Sequence, residues 1–309
     1  MNTNQLNRLK ALFVERKTLF VVLGAVLIVL GAVLSFVAFE PTQNSGSIKS
    51  ILPLETFSAP AGLKGGTSED TNGYIYVLVN KGTAANVQSI NGSNGHVIGI
   101  FPVSNAATSI ALSSTNIIAI GTAFGATGSV EFHTQNGTKI ALTPLSGPVS
   151  QVVAEADGIS FIALTRSEGN YSAVVINSKT GKVVTTVPLS SASVSIAVSP
   201  DGTTIYDLLS SGVVQLANIQ TLKILQSFPV AAGGIGITLS ADGSSLYELK
   251  GAVNARNVSV VSIATESIQG VLPAPANCIA LAPSLNQLGI FDFVGTPTFS
   301  NIQFFSAAI

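Results

Sequence analysis

Charged residues are scarce in this chain of 309 residues, where Asp, Glu, Lys and Arg together make up 9 % against roughly 25 % in a typical soluble protein. The formal net charge is −1 at pH 7. Such a composition provides neither a basic patch for nucleic acid nor an acidic block for cations. Ser, Thr, Asn, Gln and Gly must therefore cover the surface. This suits a crowded cell surface, an acidic or salty exterior, or contact with other subunits.

Cysteine and aromatic residues are also rare. Cys278 is the single cysteine and stands in the apolar run NCIALAP, so no internal disulfide can form. We interpret it as a small core residue, with an intermolecular bridge or a reactive thiol as the alternatives. Tryptophan is absent and aromatic residues make up 6 %, which leaves few stacking platforms for sugars or bases.

One long apolar run is present, at residues 18–39, and its sequence TLFVVLGAVLIVLGAVLSFVAF contains no charge. As a helix it would rise about 1.5 Å per residue and span about 33 Å, enough to cross a bilayer core of about 30 Å. A cleavable signal peptide is the alternative, but its apolar core usually has only about 7–15 residues. Lys and Arg outnumber acids before the run. The positive-inside rule then predicts a cytoplasmic segment at 1–17, a transmembrane helix at 18–39 and an extracytoplasmic domain at 40–309.

Small residues form a stripe along this predicted helix. Gly24, Gly31 and Ala38 recur every seven residues, a spacing that allows another membrane helix to approach closely. The alternative is that Gly and Ala are common in membrane helices whatever their contacts. We therefore expect the partners to be other membrane or envelope proteins, reached through the exterior domain and, as a second contact, through this stripe. The lipid bilayer is a further expected partner, and nucleic acid is not.

A repeat organises the rest of the chain. Turn residues recur at steps of about 41 to 44 residues, at Asn72-Gly73, Ser114–Asn116, Asp157-Gly158, Asp201-Gly202, Asp242-Gly243 and Asn286. Apolar runs flank each turn, as SIAV and TIYDLL do around Asp201-Gly202, and two further runs follow in each unit. Tight turns of Asn, Asp and Gly between β-branched runs predict four strands per unit.

Four-stranded units of about 40–45 residues predict the blades of a β-propeller. The last unit ends without a fourth strand, and the run SIKSILPLETF after the apolar segment is unpaired. We expect that run to complete the last blade. The predicted fold class is therefore all-β, a six-bladed β-propeller of four-stranded blades, the last closed by the N-terminal strand of the exterior domain, plus one N-terminal transmembrane α-helix.

The segments IAVSPDGTTIYDL and ITLSADGSSLYEL resemble the repeats of YVTN-type propellers of bacterial and archaeal surface proteins. The resemblance covers about residues 150–285 and implies a propeller fold and a cell-surface setting. The Tyr-Val-Thr-Asn tetrapeptide itself is missing, and LANIQTLKI departs from the family pattern. The resemblance implies no catalytic residues. The absence of tryptophan weighs against WD40 repeats and against Trp-based quinone propellers.

Few polar residues suggest chemistry. Asp157, Asp201 and Asp242 share one phase of the repeat and each precedes a glycine. A carboxylate set is one interpretation, but a hairpin turn requires the same residues. Five further acids interrupt apolar strands, so they must reach solvent, pair with a base or line a channel: Glu131, Glu155, Asp207, Glu248 and Asp292. The two histidines, His96 and His133, make a poor zinc site.

The sequence thus favours a non-enzymatic, membrane-anchored extracytoplasmic propeller that binds or scaffolds other proteins, plausibly as an accessory subunit of a membrane or envelope complex. It selects no catalytic, cofactor-binding or metal-ligating residue. The alternative is an extracytoplasmic hydrolase or lactonase, which requires several carboxylates, usually with a divalent metal, to converge at the channel mouth. Whether Glu155, Asp207, Glu248 and Asp292 point into one channel or outward discriminates between the two functions. A third possibility is a sensor that reports through the single helix and a partner.

Overall fold

The chain divides into two units, Met1–Ser45 and Gly46–Ile309. The computed structural model describes the backbone of residues 51–59, 63–67, 70–190, 192–252, 255–274, 278–283, 289–295 and 300–307. Side chains are described for residues 63–67, 70–190, 192–252, 255–274 and 281.

The described residues form β-strands joined by short turns. The strands are β1 (Ile51–Ala59), β2 (Leu63–Gly66), β3 (Tyr74–Asn80), β4 (Ala85–Asn91), β5 (Val97–Val103), β6 (Ala107–Leu112), β7 (Ile118–Phe124), β8 (Thr127–His133), β9 (Lys139–Leu145), β10 (Val149–Ala154), β11 (Ser160–Ser167), β12 (Asn170–Asn177), β13 (Lys182–Pro188), β14 (Ser193–Val198), β15 (Thr204–Leu209), β16 (Val213–Asn218), β17 (Ile224–Pro229), β18 (Gly234–Leu239), β19 (Ser245–Lys250), β20 (Asn257–Ser262), β21 (Ser267–Pro273), β22 (Cys278–Pro283), β23 (Gly289–Gly295) and β24 (Ser300–Ala307).

These strands make antiparallel four-stranded sheets. Five of the sheets follow chain order, as β2–β5, β6–β9, β10–β13, β14–β17 and β18–β21, and we number them blades 1 to 5. A further sheet has the order β1-β24-β23-β22 and joins the first described strand to the last three. We call it the terminal sheet, and apart from Leu281 it is described by its backbone alone.

The first strand of each blade is its innermost strand. Neighbouring innermost strands contact one another in the order β2, β6, β10, β14 and β18. Strand β22 contacts both β18 and β2. Each innermost strand is paired on one edge only, because it stands at the end of its sheet. Each also carries a β-bulge near its start, as between Val149 and Gln151 of β10. The five innermost strands of the blades, together with β22, therefore surround a central channel with their free edges.

Blades stack face to face, which explains why their strands are apolar on both faces. Ile162 and Leu164 of blade 3 pack with Ile196 and Ile205 of blade 4 in one buried cluster. A second cluster joins blade 4 to blade 5. Each blade thus has an apolar core on both sides, and a polar side chain in the middle of a blade lies between two sheets.

The turn that closes the first hairpin of a blade is held by its own side chains. In blade 4, Asp201 Oδ1 accepts a hydrogen bond from the Thr203 N–H at 3.0 Å, and Gly202 adopts a φ of 70°. Glycine occupies this left-handed conformation without steric cost. The Asp-Gly pair at this phase is explained by the turn, which agrees with the structural interpretation of the motif.

The fold prediction requires correction in its number of blades. The structure describes five blades down to their side-chain packing, not six, together with the terminal sheet. The spacing of turns counts four-stranded units but does not show how each unit packs. The pairing expected between the chain ends is present, because β1 lies antiparallel to β24 in the terminal sheet. The described residues form an all-β structure without any helix, and the predicted transmembrane helix falls on residues that the structure does not describe. Accordingly, the described part of the chain offers no helix of the length and apolarity that a membrane crossing needs, and residues 18–39 lie outside it.

Candidate functional site

The innermost strands of blades 1 to 5, together with Leu281 of β22, line a central cavity of about 650 Å³. Ligand pockets in proteins commonly measure roughly 300–1,000 Å³, so this cavity is large enough for a small molecule. Most of its lining residues are small, apolar or hydroxyl-bearing. Lys64 and Glu155 are the two charged residues among the described lining.

Glu155 follows the innermost strand β10 directly. Its Oε1 atom is buried and has no hydrogen-bond partner among the described residues. Burial and, to a smaller extent, repulsion from Asp157 raise the pKa of Glu155 to about 7. Its Oε2 atom faces the next blade, where a Cβ at Gly202 would lie 3.8 Å away. Glu155 is therefore a carboxyl group at the channel whose charge the protein itself does not neutralise.

The repeat shows that Glu155 is an exception. The other four blades have a hydroxyl residue at this position, and the hydroxyl oxygen accepts a backbone N–H from the start of the next strand: Thr67 from Tyr76 at 3.2 Å, Ser113 from Ile117 at 3.2 Å, Ser199 from Thr204 at 3.0 Å and Ser240 from Ser245 at 3.0 Å. In blade 3 that N–H belongs to Ser160 and donates to Asp157 Oδ1 at 2.7 Å. The turn consequently does not use the Glu155 side chain.

Hydrogen bonds between neighbouring innermost strands fix the walls of the cavity. Gln151 of β10 accepts the Ile196 N–H at 2.8 Å and donates to the Ile196 carbonyl at 2.9 Å. Ser195 Oγ donates to Gln151 Oε1 at 3.0 Å and accepts the Ile237 N–H of the next blade at 3.1 Å. These bonds link blades 3, 4 and 5, so the free strand edges are held at a fixed spacing. Sequence reasoning did not single out Gln151, because a glutamine in an apolar run carries no recognisable motif.

Asp207 and Glu248 lie between blades rather than in the channel. Asp207 is 1 % exposed, and Ser193 Oγ, which donates to it, lies 2.7 and 2.8 Å from its two oxygens. Glu248 is fully buried, with Lys250 Nζ 4.0 Å from its Oε2. Burial raises the pKa of both carboxyl groups, that of Asp207 to about 6. Neither residue lines the cavity.

The remaining strand acids do not join Glu155 either. Glu131 pairs with Lys139 Nζ at 3.3 Å and with His133 Nε2 at 3.2 Å. The His133 hydrogen bond is the largest cause that lowers the pKa of Glu131. The backbone of Asp292 lies in β23, but its side chain is outside the described residues. The four carboxylates that the hydrolase hypothesis needs are therefore not brought together among the residues described here.

The two histidines occupy different environments. His133 is buried, and its Nδ1 lies 3.2 Å from the Gly137 carbonyl oxygen. His96 is exposed in the turn before β5. Across the described ranges, no group of three or more His, Cys, Asp or Glu residues could hold a metal ion. The backbone of Cys278 lies in β22, and its side chain is outside the described set.

Asp201 and Asp242 are turn residues. Hydrogen bonds from Ser199 and then from Thr203 hold the pKa of Asp201 below its usual value. Those from Ser240 and then from Ser244 do the same for the pKa of Asp242. A carboxylate that is stabilised in this way serves the turn. Their shared phase in the repeat thus has a structural cause.

Apolar side chains also face solvent on the outermost strand of each blade. The exposed set contains Ile98 and Ile100 in β5, Ile140 and Leu142 in β9, Val183 and Val184 in β13, Ile224 and Leu225 in β17, and Ile268 and Val271 in β21. We call these ten residues the outer-strand belt. An outermost strand has one free edge, and edge strands of soluble proteins usually carry charge to prevent pairing with other chains. The belt is thus a recurrent apolar surface at five positions around the propeller.

The comparisons with known proteins place the chain by its fold. No family model and no curated protein matches the sequence. Among solved structures, the chain is similar to the β-propeller domain of Cps50 (Swd1) from Myceliophteria thermophila. The sequence identity is 11 %, the TM-score is 0.60, and the match covers 84 % of this chain and 100 % of that domain. At this identity the likeness shows the β-propeller fold and nothing finer.

Proposed function

We propose that this chain is a non-enzymatic propeller that binds and scaffolds other proteins, and that the outer-strand belt is the surface it uses. The observation that carries the proposal is the exposure of aliphatic side chains on every described blade. Ile100 is 62 % exposed and Val184 is 63 % exposed. Exposed apolar surface that recurs in this way marks protein interaction sites.

The low charge of the chain supports the same function. Charged residues make up 9 % of the sequence, so few ion pairs or charged rims oppose the close approach of another subunit. An interface between chains is also depleted of charge at its centre. We infer that the partners are other subunits of an assembly at the membrane or in the cell envelope, which can contact the propeller from several sides.

The location of the assembly, at the outer side of a membrane, is also part of the proposal. The apolar run 18–39 would anchor the propeller outside the membrane, and its stripe of Gly24, Gly31 and Ala38 would contact a partner helix. The resemblance to YVTN-type repeats supports a cell-surface location. The hydrolase alternative has lost its basis in Asp207 and Glu248, because both side chains lie between blades.

The test is purification of the full-length chain in a mild detergent, followed by measurement of its particle mass and identification of co-purifying chains. We compare the wild type with the double variant Ile100→Thr, Val184→Thr. Threonine keeps the β-propensity of these exposed positions and removes the apolar contact. The control is Thr186→Ser, a conservative change at an exposed position of the same outermost strand as Val184.

We expect the wild type and the control to migrate as a complex, and the double variant to dissociate with an unchanged melting temperature. A monomeric wild type would contradict the proposal. A complex that persists in the double variant would remove the belt as its interface.

A further inference from the structure

We propose that the central cavity binds a small aliphatic amine, with the Glu155 carboxylate as the counter-ion of its ammonium group. This site goes beyond the scaffold function and is separate from the outer-strand belt. The inference depends on three observations about the cavity: an unused carboxylate, the distribution of charge around it and the apolar character of the walls.

The carboxylate is available for a ligand. Glu155 Oε1 is buried without a hydrogen-bond partner among the described residues, and a buried carboxylate oxygen without a partner costs free energy. The other blades place Thr67, Ser113, Ser199 or Ser240 here and use the hydroxyl in the turn. Blade 3 keeps the turn through Asp157 and puts a larger, acidic side chain at the channel.

The described charged residues nearest the channel mouth are acidic. Because successive strands are antiparallel, the first and third turns of a blade lie on the same face of the propeller. Asp157, Asp201 and Asp242 lie in the first turns, which follow the innermost strands directly. Lysines of this face, such as Lys139 and Lys182, stand at the start of outermost strands. The described charges thus create a negative potential at the mouth, which attracts a cation.

The walls select an organic cation over a metal ion. The apolar lining residues that are not fully buried include Val153, Val194, Val198 and Ile235, which provide contacts for methylene groups. Calcium takes about 6–8 oxygen ligands, and the described lining contributes a single carboxylate. An ammonium group needs few hydrogen-bond acceptors, and backbone carbonyls on the free strand edges can accept hydrogen bonds from its remaining N–H groups.

Lys64 limits the ligand to one positive charge. It lies near the start of β2, three residues before Thr67, which is the blade 1 equivalent of Glu155. A strand rises about 3.3 Å per residue, so the two levels differ by about 10 Å along the channel. A second ammonium group at that level would be repelled by Lys64. We therefore expect a monoamine to bind better than a diamine of similar length.

The experiment measures binding of n-butylamine to the full-length chain by isothermal titration calorimetry at pH 8 and pH 6. The variants are Glu155→Ser, which restores the residue type of the other blades, and Glu155→Gln, which removes only the charge. The control is Glu168→Gln, an exposed acid in the turn between β11 and β12, on the opposite face. Unchanged melting temperatures establish that the variants fold.

We expect both Glu155 variants to weaken binding at least tenfold at pH 8 and the control to leave it unchanged. In the wild type, affinity at pH 6 should be about tenfold lower than at pH 8, since a carboxyl group with a pKa of about 7 is only about one-tenth ionised there. Absence of butylamine binding, or equal binding by Glu155→Ser, would overturn the inference.

Two further ligands refine the assignment. A short peptide with blocked termini and one lysine tests whether the ammonium group can come from a partner protein. Binding of the peptide in a Glu155-dependent manner supports a protein source, and binding of butylamine alone supports a free metabolite. Calcium that displaces butylamine at equal concentration would contradict the choice of an organic cation. None of these results depends on the outer-strand belt, so the two proposals can fail separately.

Discussion

Asp207 allows a prediction about pH, because its contribution to the stability of the protein is more favourable in mild acid than at neutral pH. Its carboxyl group is 1 % exposed between blades 3 and 4, and burial raises its pKa from 3.8 to about 6. The folded state therefore holds the proton more tightly than the unfolded state. Below pH 4 the Asp207 carboxyl group is protonated in both the folded and the unfolded state, so no stability is lost. Between about pH 4 and 6 the unfolded chain ionises first, so the free energy of unfolding falls as pH rises.

The magnitude follows from the shift. About two pKa units at about 1.4 kcal/mol each correspond to about 3 kcal/mol, lost in full above pH 6. The variant Asp207→Asn removes the charge and can still accept the hydrogen bond from Ser193, although its amide N–H groups need partners. We expect it to be about 2 kcal/mol more stable than the wild type at pH 7.5. For a domain of this size that is about 4 °C in melting temperature.

The assay is thermal unfolding of the wild type and Asp207→Asn at pH 4, 5, 6 and 7.5, followed by circular dichroism. The difference in melting temperature between the two proteins should become smaller as the pH falls and vanish near pH 4. The control is Asp201→Asn. The pKa of this exposed turn residue is shifted in the opposite direction, below its usual value, so removing its charge should destabilise the protein at pH 7.5. An Asp207→Asn variant less stable than the wild type at pH 7.5 would refute the reasoning.

Two other substitutions test the packing of the ring. Gly121→Ala should destabilise the protein by about 1–3 kcal/mol in urea unfolding, because the new Cβ would lie 2.5 Å from Ser109 Oγ and 2.7 Å from Val149 Cγ1. No measurable loss of stability would mean that blades 2 and 3 can separate. Gln151→Leu should cost about 2–3 kcal/mol in the same assay, because it leaves the Ile196 N–H and carbonyl without their partner; unchanged hydrogen exchange at Ile196 would contradict this.

The local architecture of the blades could be predicted from the sequence because it depends on local signals. A turn such as Asp201-Gly202 requires a positive φ and a capping side chain, and both requirements appear directly as residue types at fixed spacing. Strands buried on both faces appear as continuous apolar runs. The repeat of about 41 to 44 residues therefore predicted four-stranded blades and the propeller class.

Tertiary structure alone decided where the polar residues of the strands lie. Glu155, Asp207 and Glu248 all interrupt apolar runs in the sequence, yet Glu155 lines the cavity while the other two are buried between blades. The direction of a side chain depends on which strand is innermost and on the bulge near its start, such as that between Ser193 and Ser195. One residue of shift exchanges the two faces of a strand, so periodicity could not assign these roles.

The exception at Glu155 was present in the sequence, but its meaning was not. Aligned repeats show Ser113, Ser199 and Ser240 where blade 3 has Glu155, a departure that could have been noticed. That the turn is closed by Asp157 instead, and that Glu155 Oε1 has no partner among the described residues, could be learned only from the positions of atoms. Sequence determined the strands and turns of this propeller, because those follow from local conformational preference. The structure decided which carboxylate faces the channel, because that depends on contacts between blades about 40 residues apart.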